Sequence, residues 1–292
     1  MKNFHHLGNS KKDKNVRTFA VEIQKQKMYV RPKKGLGQHF LKDDKIAERI
    51  VSSLDIEERK EGSKDRVMVL EIGPGTGVLT KFLKEDTRIA LSLIEIDSES
   101  VEYLKATMPT IGSNIIEGDF LKLDLQALFT DKFQIIGNFP YNISSQIFFK
   151  VLENKEIVPQ VVCMIQREVA ERLASAPGKK SYGILSVLLQ AWYDIEYLFT
   201  VDEGSFIPPP KVKSAVIRLK RNSRQSLKCD EILFKKVVKT TFNQRRKTIR
   251  NSLKPLLAGK TLSDHLLLNM RPEQLSVEQF VELTQIVSTG IL

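Results

Sequence analysis

Cysteine, histidine and tryptophan are scarce in this chain of 292 residues, which has two, four and one of them. Cys163 and Cys229 have no partners at metal-ligand spacing, so neither a disulfide scaffold nor a zinc site is expected. The histidines are His5, His6, His39 and His265, which gives His39 no companion ligand and leaves no metal to expect. No run approaches the roughly 18 apolar residues of a membrane span, and no basic-then-apolar leader opens the sequence. Internal repeats and low-complexity tracts are missing too. A cytoplasmic protein with reduced thiols and no membrane association is the expectation. At 41% hydrophobic and 28% charged residues, most of the chain can bury a core.

Charge is plentiful, and unevenly placed. The net +11 divides into +8 over residues 1–34, −8 over residues 35–204, +14 over residues 205–260 and −3 over residues 261–292. An acidic body with a strongly basic C-terminal portion suggests a polyanionic partner held mainly by that portion. The alternative is a solvated lysine-rich surface, although such surfaces are usually mixed in sign.

Residues 1–27 are polar and basic without apolar period. They are expected to be a disordered arm, or to precede the true start near Met28. From Val67 the pattern alternates strand and helix. Strands are expected at Val67–Ile72, Ala90–Ile96, around Ile115–Ile116, at Gln134–Gly137 and at Val161–Ile165. Asp97 or Ser98 can cap one helix, and Ser144 and Ser145 open another. This alternation argues a parallel, doubly wound α/β sheet. Pro208-Pro209-Pro210 interrupts it, Val212–Leu219 predicts a late strand, and a helical period begins at Asp230 with Leu233, Val237, Val238 and Phe242 on one face. The expected divisions are the arm at 1–27, a ligand-binding catalytic domain at 28–221 and a small helical domain at 222–292.

Glu71-Ile72-Gly73-Pro74-Gly75-Thr76-Gly77 closes the first strand. Glycines there let the chain turn sharply and let a ligand lie against main chain, with the amides of a following helix facing it. The spacing is G-x-G-x-G, whereas a dinucleotide site wants G-x-G-x-x-G and position 78 is Val. Glu95 ends the second strand, where a carboxylate can accept from both hydroxyls of a ribose. Asp119, in Gly118-Asp119-Phe120, can accept from an adenine amine while Phe120 packs on the ring. A tight turn, a surface acid and a turn aspartate are the plainer readings of the three.

Asn138-Phe139-Pro140-Tyr141 after the fourth strand is the strongest signal. An exocyclic adenine amine is a poor nucleophile, because its lone pair is delocalised into the ring. A site that accepts both N–H bonds returns the pair to nitrogen. The Asn138 oxygen and a backbone carbonyl beside Pro140 can do so. Pro140 stiffens the turn, and Tyr141 offers a ring for the base to stack on, worth about 1–3 kcal/mol against the cost of extracting the base. The alternative is a proline turn with a buried tyrosine.

These blocks resemble the KsgA/RsmA family of small-subunit ribosomal RNA adenine dimethyltransferases, from about Arg31 to the C-terminus. The resemblance also rests on Gly37–Leu41, Gln166–Ala170, Tyr182–Ser186, Phe206–Val216 and Phe242–Asn251. It implies a class I methyltransferase with a Rossmann-like sheet and a helical C-terminal domain. The implied donor is S-adenosylmethionine, and the implied substrate is a pair of adjacent adenosines near the 3′ end of 16S rRNA in the small ribosomal subunit, each methylated twice by a monomer. By motif, His39 and Leu41 would line the methionine side of the cofactor, Gly73 would lie beneath it, Glu95 would hold its ribose and Asp119 its adenine. Asn138 would sit between methyl group and amine. Many family members have Asn where this chain has His39. Arg245, Arg246, Lys247 and Arg250, read as the start of a helix, would contact phosphates.

Three other readings stay open. A related enzyme methylates one large-subunit adenine, and DNA adenine methyltransferases use a similar Asn-Pro turn. A non-catalytic assembly factor on the same fold is disfavoured by the intact Asn138, Pro140, Tyr141, Glu95 and Asp119.

Overall fold

Seven strands build the central sheet: β1 (Val67–Ile72), β2 (Ile89–Glu95), β3 (Ile115–Glu117), β4 (Phe133–Asn138), β5 (Gln160–Gln166), β6 (Tyr193–Val201) and β7 (Ser214–Arg221). The computed structural model describes residues 29–56, 66–257 and 264–289, so the arm expected over residues 1–27 lies outside them. Pro32–Leu292 form one compact unit; of the unit before it only the irregular stretch 29–31 is described.

The strand order is β3-β2-β1-β4-β5-β7-β6. The first five strands are parallel, and β7 runs antiparallel to both β5 and β6. The expected strands all appear, with ends shifted by a residue or two; the late strand begins at Ser214 rather than Val212. The sequence reading missed β6, an edge strand that alternates apolar and acidic residues from Tyr193 to Tyr197 and loses that period at a register shift between Tyr197 and Phe199. The strand order reverses between β1 and β4, and such a switch point opens a crevice at the carboxyl ends of the strands.

The helices that frame the clefts and the core include α1 (Ser98–Thr107), α2 (Ser144–Glu153), α3 (Ile184–Gln190), α4 (Glu231–Asn243) and α5 (Val277–Thr289). Asp97 caps α1 by accepting from the Glu99 amide at 3.3 Å, a bond worth about 1 kcal/mol. α4 buries Phe234, Val237, Val238, Thr241 and Phe242, and Leu233 packs half-buried against the same core.

One face of the sheet packs on Leu41, Ile50, Leu83 and Leu104. The other buries Leu70, Ile135 and Val161 in the same cluster as Phe148 of α2, Leu189 of α3, Val238 of α4 and Phe280 of α5. The change of composition after Arg221 therefore marks the end of the sheet, while the core runs on into the C-terminal helices. A two-stranded ribbon pairs Phe40–Leu41 with Phe206–Ile207, bringing residues far apart in sequence to the sheet's carboxyl edge.

Candidate active site

The carboxyl ends of β1, β2, β3 and β4 deliver Gly73, Glu95, Asp119 and Asn138 to one cleft, which holds about 700 Å3 including its mouth. The turn after β1 is not helical at once; it runs through Val78 and Leu79, and only Thr80–Leu83 is an α-helix. The expected helix amides are therefore turn amides. Gly73 takes φ +65°, and a Cβ built on it meets no protein atom within 4 Å. The space beside it belongs to the cleft, and a ligand there lies against bare main chain. Gly77 serves packing instead, since a Cβ there would stand 2.7 Å from Met108 and 2.9 Å from Leu104 of α1.

Glu95 is 4% exposed and accepts three backbone N–H groups. Its Oε1 takes those of Ile96 at 2.9 Å and Asp97 at 3.0 Å, and its Oε2 takes that of Gly75 at 3.0 Å. Burial pushes its pKa up, and the backbone bonds from Asp97 and Gly75 oppose that. A carboxylate has about four lone-pair positions, so Oε2 retains room for a hydroxyl donor. Asp119 accepts from the Leu121 amide at 2.9 Å through Oδ1, and its Oδ2 is 3.9 Å from Lys122. Phe120 is buried on the cleft wall.

Asn138 donates from Nδ2 to the carbonyl of His39 at 2.9 Å. That bond fixes the amide plane and leaves Oδ1 as the free acceptor. The Phe139 amide donates to Met164 of β5, and the Pro140 carbonyl accepts from Ile143, which closes the turn. The Tyr141 hydroxyl shares a hydrogen bond with Ser214, and burial raises its pKa. The His39 ring lies 5.5 Å from the Tyr141 ring at 28°, held by Nδ1 donating to the Pro208 carbonyl at 2.8 Å.

His39, Gly73, Glu95, Asp119, Asn138, Pro140 and Tyr141 thus meet in one place. Leu41, close to His39 in the chain, buries its side chain in the core. The basic residues lie elsewhere, and their setting differs from the expected helix start. Arg245, Arg246 and Lys247 occupy the turn after α4, and only Arg250 is helical, in Ile249–Ser252. Arg245 donates to the Lys179 carbonyl at 3.3 Å and approaches Glu273, and Arg250 pairs with Asp264. Arg246 and Lys247 are exposed, with no ion pair among the described residues.

Sequence reasoning missed the latch that holds the near wall. Asp97 accepts from Lys33 and, at 3.3 Å, from Gln38. Burial alone would raise the Asp97 pKa, but the bonds from Lys33, Gln38 and Ser100 outweigh it and hold the carboxyl below its usual range. Gln38 stands inside the motif Gly37–Leu41, and nothing local marks its partner. Among the described residues no three His, Cys, Asp or Glu side chains are grouped to hold a metal ion, and no helix is long and apolar enough to cross a membrane.

This sheet order, with a glycine turn and strand-end acids around one cleft, defines a class I S-adenosylmethionine-dependent methyltransferase. The family model described as ribosomal RNA adenine dimethylase matches residues 30–289, and the chain belongs to that family. It is 61% identical to ribosomal RNA small subunit methyltransferase A of Parabacteroides distasonis over 88% of this chain and 94% of that one. With the protein of the same name from Bacteroides thetaiotaomicron the identity is 58%, over 90% and 96%. A dimethyladenosine transferase crystal structure from Plasmodium falciparum superposes with a TM-score of 0.68 at 25% identity, over 84% of this chain and 96% of that one. The 23S rRNA methyltransferase ErmE shares the fold, with a TM-score of 0.61 at 24% identity over 86% of this chain and 100% of the other.

Proposed function

We propose that this chain transfers two methyl groups to the N6 amine of each of two adjacent adenosines near the 3′ end of 16S rRNA in the small ribosomal subunit. It acts as a cytoplasmic monomer during subunit biogenesis, with S-adenosylmethionine as donor. The observation that carries this reading is Asn138, whose amide is oriented by the His39 carbonyl and whose free oxygen belongs to the same cleft as Gly73 and Glu95.

The residues fit the donor molecule. Gly73 leaves main chain bare where a bulky ligand must lie, Glu95 keeps a lone pair for a ribose hydroxyl, and Asp119 and Phe120 offer an acceptor and a ring face for an adenine. Leu41 can contribute through its backbone alone. When bound, the sulfonium supplies a methyl group already activated for displacement. The protein's part is alignment, which can lower a barrier by several kcal/mol. Asn138 and a carbonyl of the Asn138–Pro140 turn accept the amine's N–H bonds, and Tyr141 holds the ring flat. No strong base is needed, because the proton is shed after nitrogen has become cationic.

The C-terminal part, residues 222–292, supplies cations that grip the RNA. Arg246 and Lys247 supply free cations for phosphates, while Arg245 and Arg250 must exchange protein partners for phosphate. Relatives named for the small subunit favour that substrate over a large-subunit adenine. Incubation of small subunits lacking the modification with labelled donor, followed by nucleotide mapping, tests the proposal. Label confined to two neighbouring adenosines as N6,N6-dimethyladenosine supports it; label in the large subunit or on DNA refutes it.

A further inference from the structure

A second, larger cleft of about 1920 Å3 lies beside the first. Ile143 lines the first and Ser145, two residues on at the start of α2, lines the second, so the two clefts adjoin at the start of α2. Its floor is apolar, with Phe149 of α2, Ile184 and Leu185 of α3, and Phe242 of α4. Its rim is cationic, with Lys179, Lys180, Lys239 and Arg245. The acids on the wall are already neutralised, Glu168 by Arg172 at 3.1 Å and Glu171 by Arg167 at 2.7 Å. Lys179, Lys180 and Lys239 are exposed and have no ion pair among the described residues. Lys239 Nζ stands 5.1 Å from the half-buried Phe149 ring, and Lys235 Nζ 5.7 Å.

An apolar floor under a cationic rim suits a single-stranded nucleotide, with its base on the aromatic face and its phosphate among the lysines. A double helix hides its bases and would use the rim alone. We propose that this cleft holds the unpaired nucleotide next to the adenosine being methylated. The proposal rests on the RNA methyltransferase reading and adds a site to it. On a pair of adjacent targets, the cleft seats one member while the other occupies the reacting position.

Two variants of the full chain test this on unmethylated small subunits. Phe149→Leu keeps apolar volume and loses the ring; the double change Lys179→Ala, Lys180→Ala removes only exposed charge. Each is expected to raise KM for subunits about tenfold, the order expected for one stacked base or a few neutralised phosphates, with donor affinity unchanged. Ultraviolet cross-linking of the unaltered protein to subunits should place RNA adducts within 145–153 or 179–185. An unchanged KM in Phe149→Leu, even beside a raised KM in the lysine variant, would show a basic surface without a base site and overturn the proposal. Adducts confined to residues 244–251 would do the same. Failure of the methyltransferase reading is separate, because the unaltered protein would then transfer no methyl.

Discussion

The hydroxyls of Tyr141 and Ser214 share a hydrogen bond that ties the turn after β4 to the first residue of β7. Ser214 is fully buried, and Tyr141 lines the cleft. The ring proposed to carry the base is thus anchored at its far end to the sheet. Ser214→Ala and Tyr141→Phe keep the ring and lose the anchor, and about a threefold to tenfold fall in kcat is expected from the looser geometry. Tyr141→Ala should lose more, because about 1–3 kcal/mol of stacking goes with the ring. Steady-state kinetics on subunits distinguish them; equal losses in Tyr141→Phe and Tyr141→Ala would contradict a stacking role.

Glu95→Ala should weaken donor binding far more than RNA binding, since Oε2 keeps a lone pair for the proposed ribose and no basic residue pairs with Glu95 among the described residues. Gly73→Ala should do the same by filling the cleft, with about 1–2 kcal/mol of backbone strain at its positive φ besides. Calorimetry with the donor checks both. Unchanged affinity in Glu95→Ala would remove the ribose assignment.

Glu71 is buried beneath the glycine turn and accepts from the Thr80 hydroxyl at 2.7 Å. Burial raises its pKa from 4.5 to about 8; the Thr80 bond opposes this and nearby Glu95 adds to it. Between those values the folded protein keeps a proton that the unfolded chain releases, so this group's contribution to stability falls as pH rises through the window. Melting temperatures from pH 5 to 8.5 should therefore decline less in Glu71→Gln, which keeps an acceptor for Thr80 and cannot ionise. A steeper decline in that variant would contradict the account.

How far these features could be foreseen depended on how local their cause was. β1 to β4 are short apolar runs that end at or just before Gly, Glu, Asp or Asn, and their site residues followed from strand ends alone. β6 carries an apolar–acidic alternation only from Tyr193 to Tyr197, and the register shift that follows breaks the period over the rest of the strand. The residues from Arg245 to Lys247 suggested a helix from their neighbours, yet the chain turns there because α4 has ended at Asn243. The Lys33–Asp97 and Tyr141–Ser214 bonds span 64 and 73 residues, and no local pattern encodes such pairs.

Neutralised phosphates release their counterions, so subunit binding should weaken with salt, and the slope should flatten by roughly 0.7–0.9 for each phosphate left without its cation. Arg246→Ala with Lys247→Ala removes cations that have no ion pair among the described residues and should flatten it most. Arg250→Ala should flatten it less, because the Asp264 pair competes with phosphate. Binding measured across a salt series checks the order, and equal slopes in all proteins would leave these residues as a solvated turn.

The central claim is that Asn138 sets the amine for transfer without holding the RNA. The most direct measurement compares Asn138→Ala with the unaltered protein, scoring bound subunits and dimethyladenosine formed in the same reactions at saturating donor. The account predicts near-normal subunit binding and methyl transfer reduced by about a hundredfold or more, the scale on which misaligned reacting groups lose rate. Transfer within threefold of the unaltered protein, or loss of transfer that merely follows loss of binding, would contradict it.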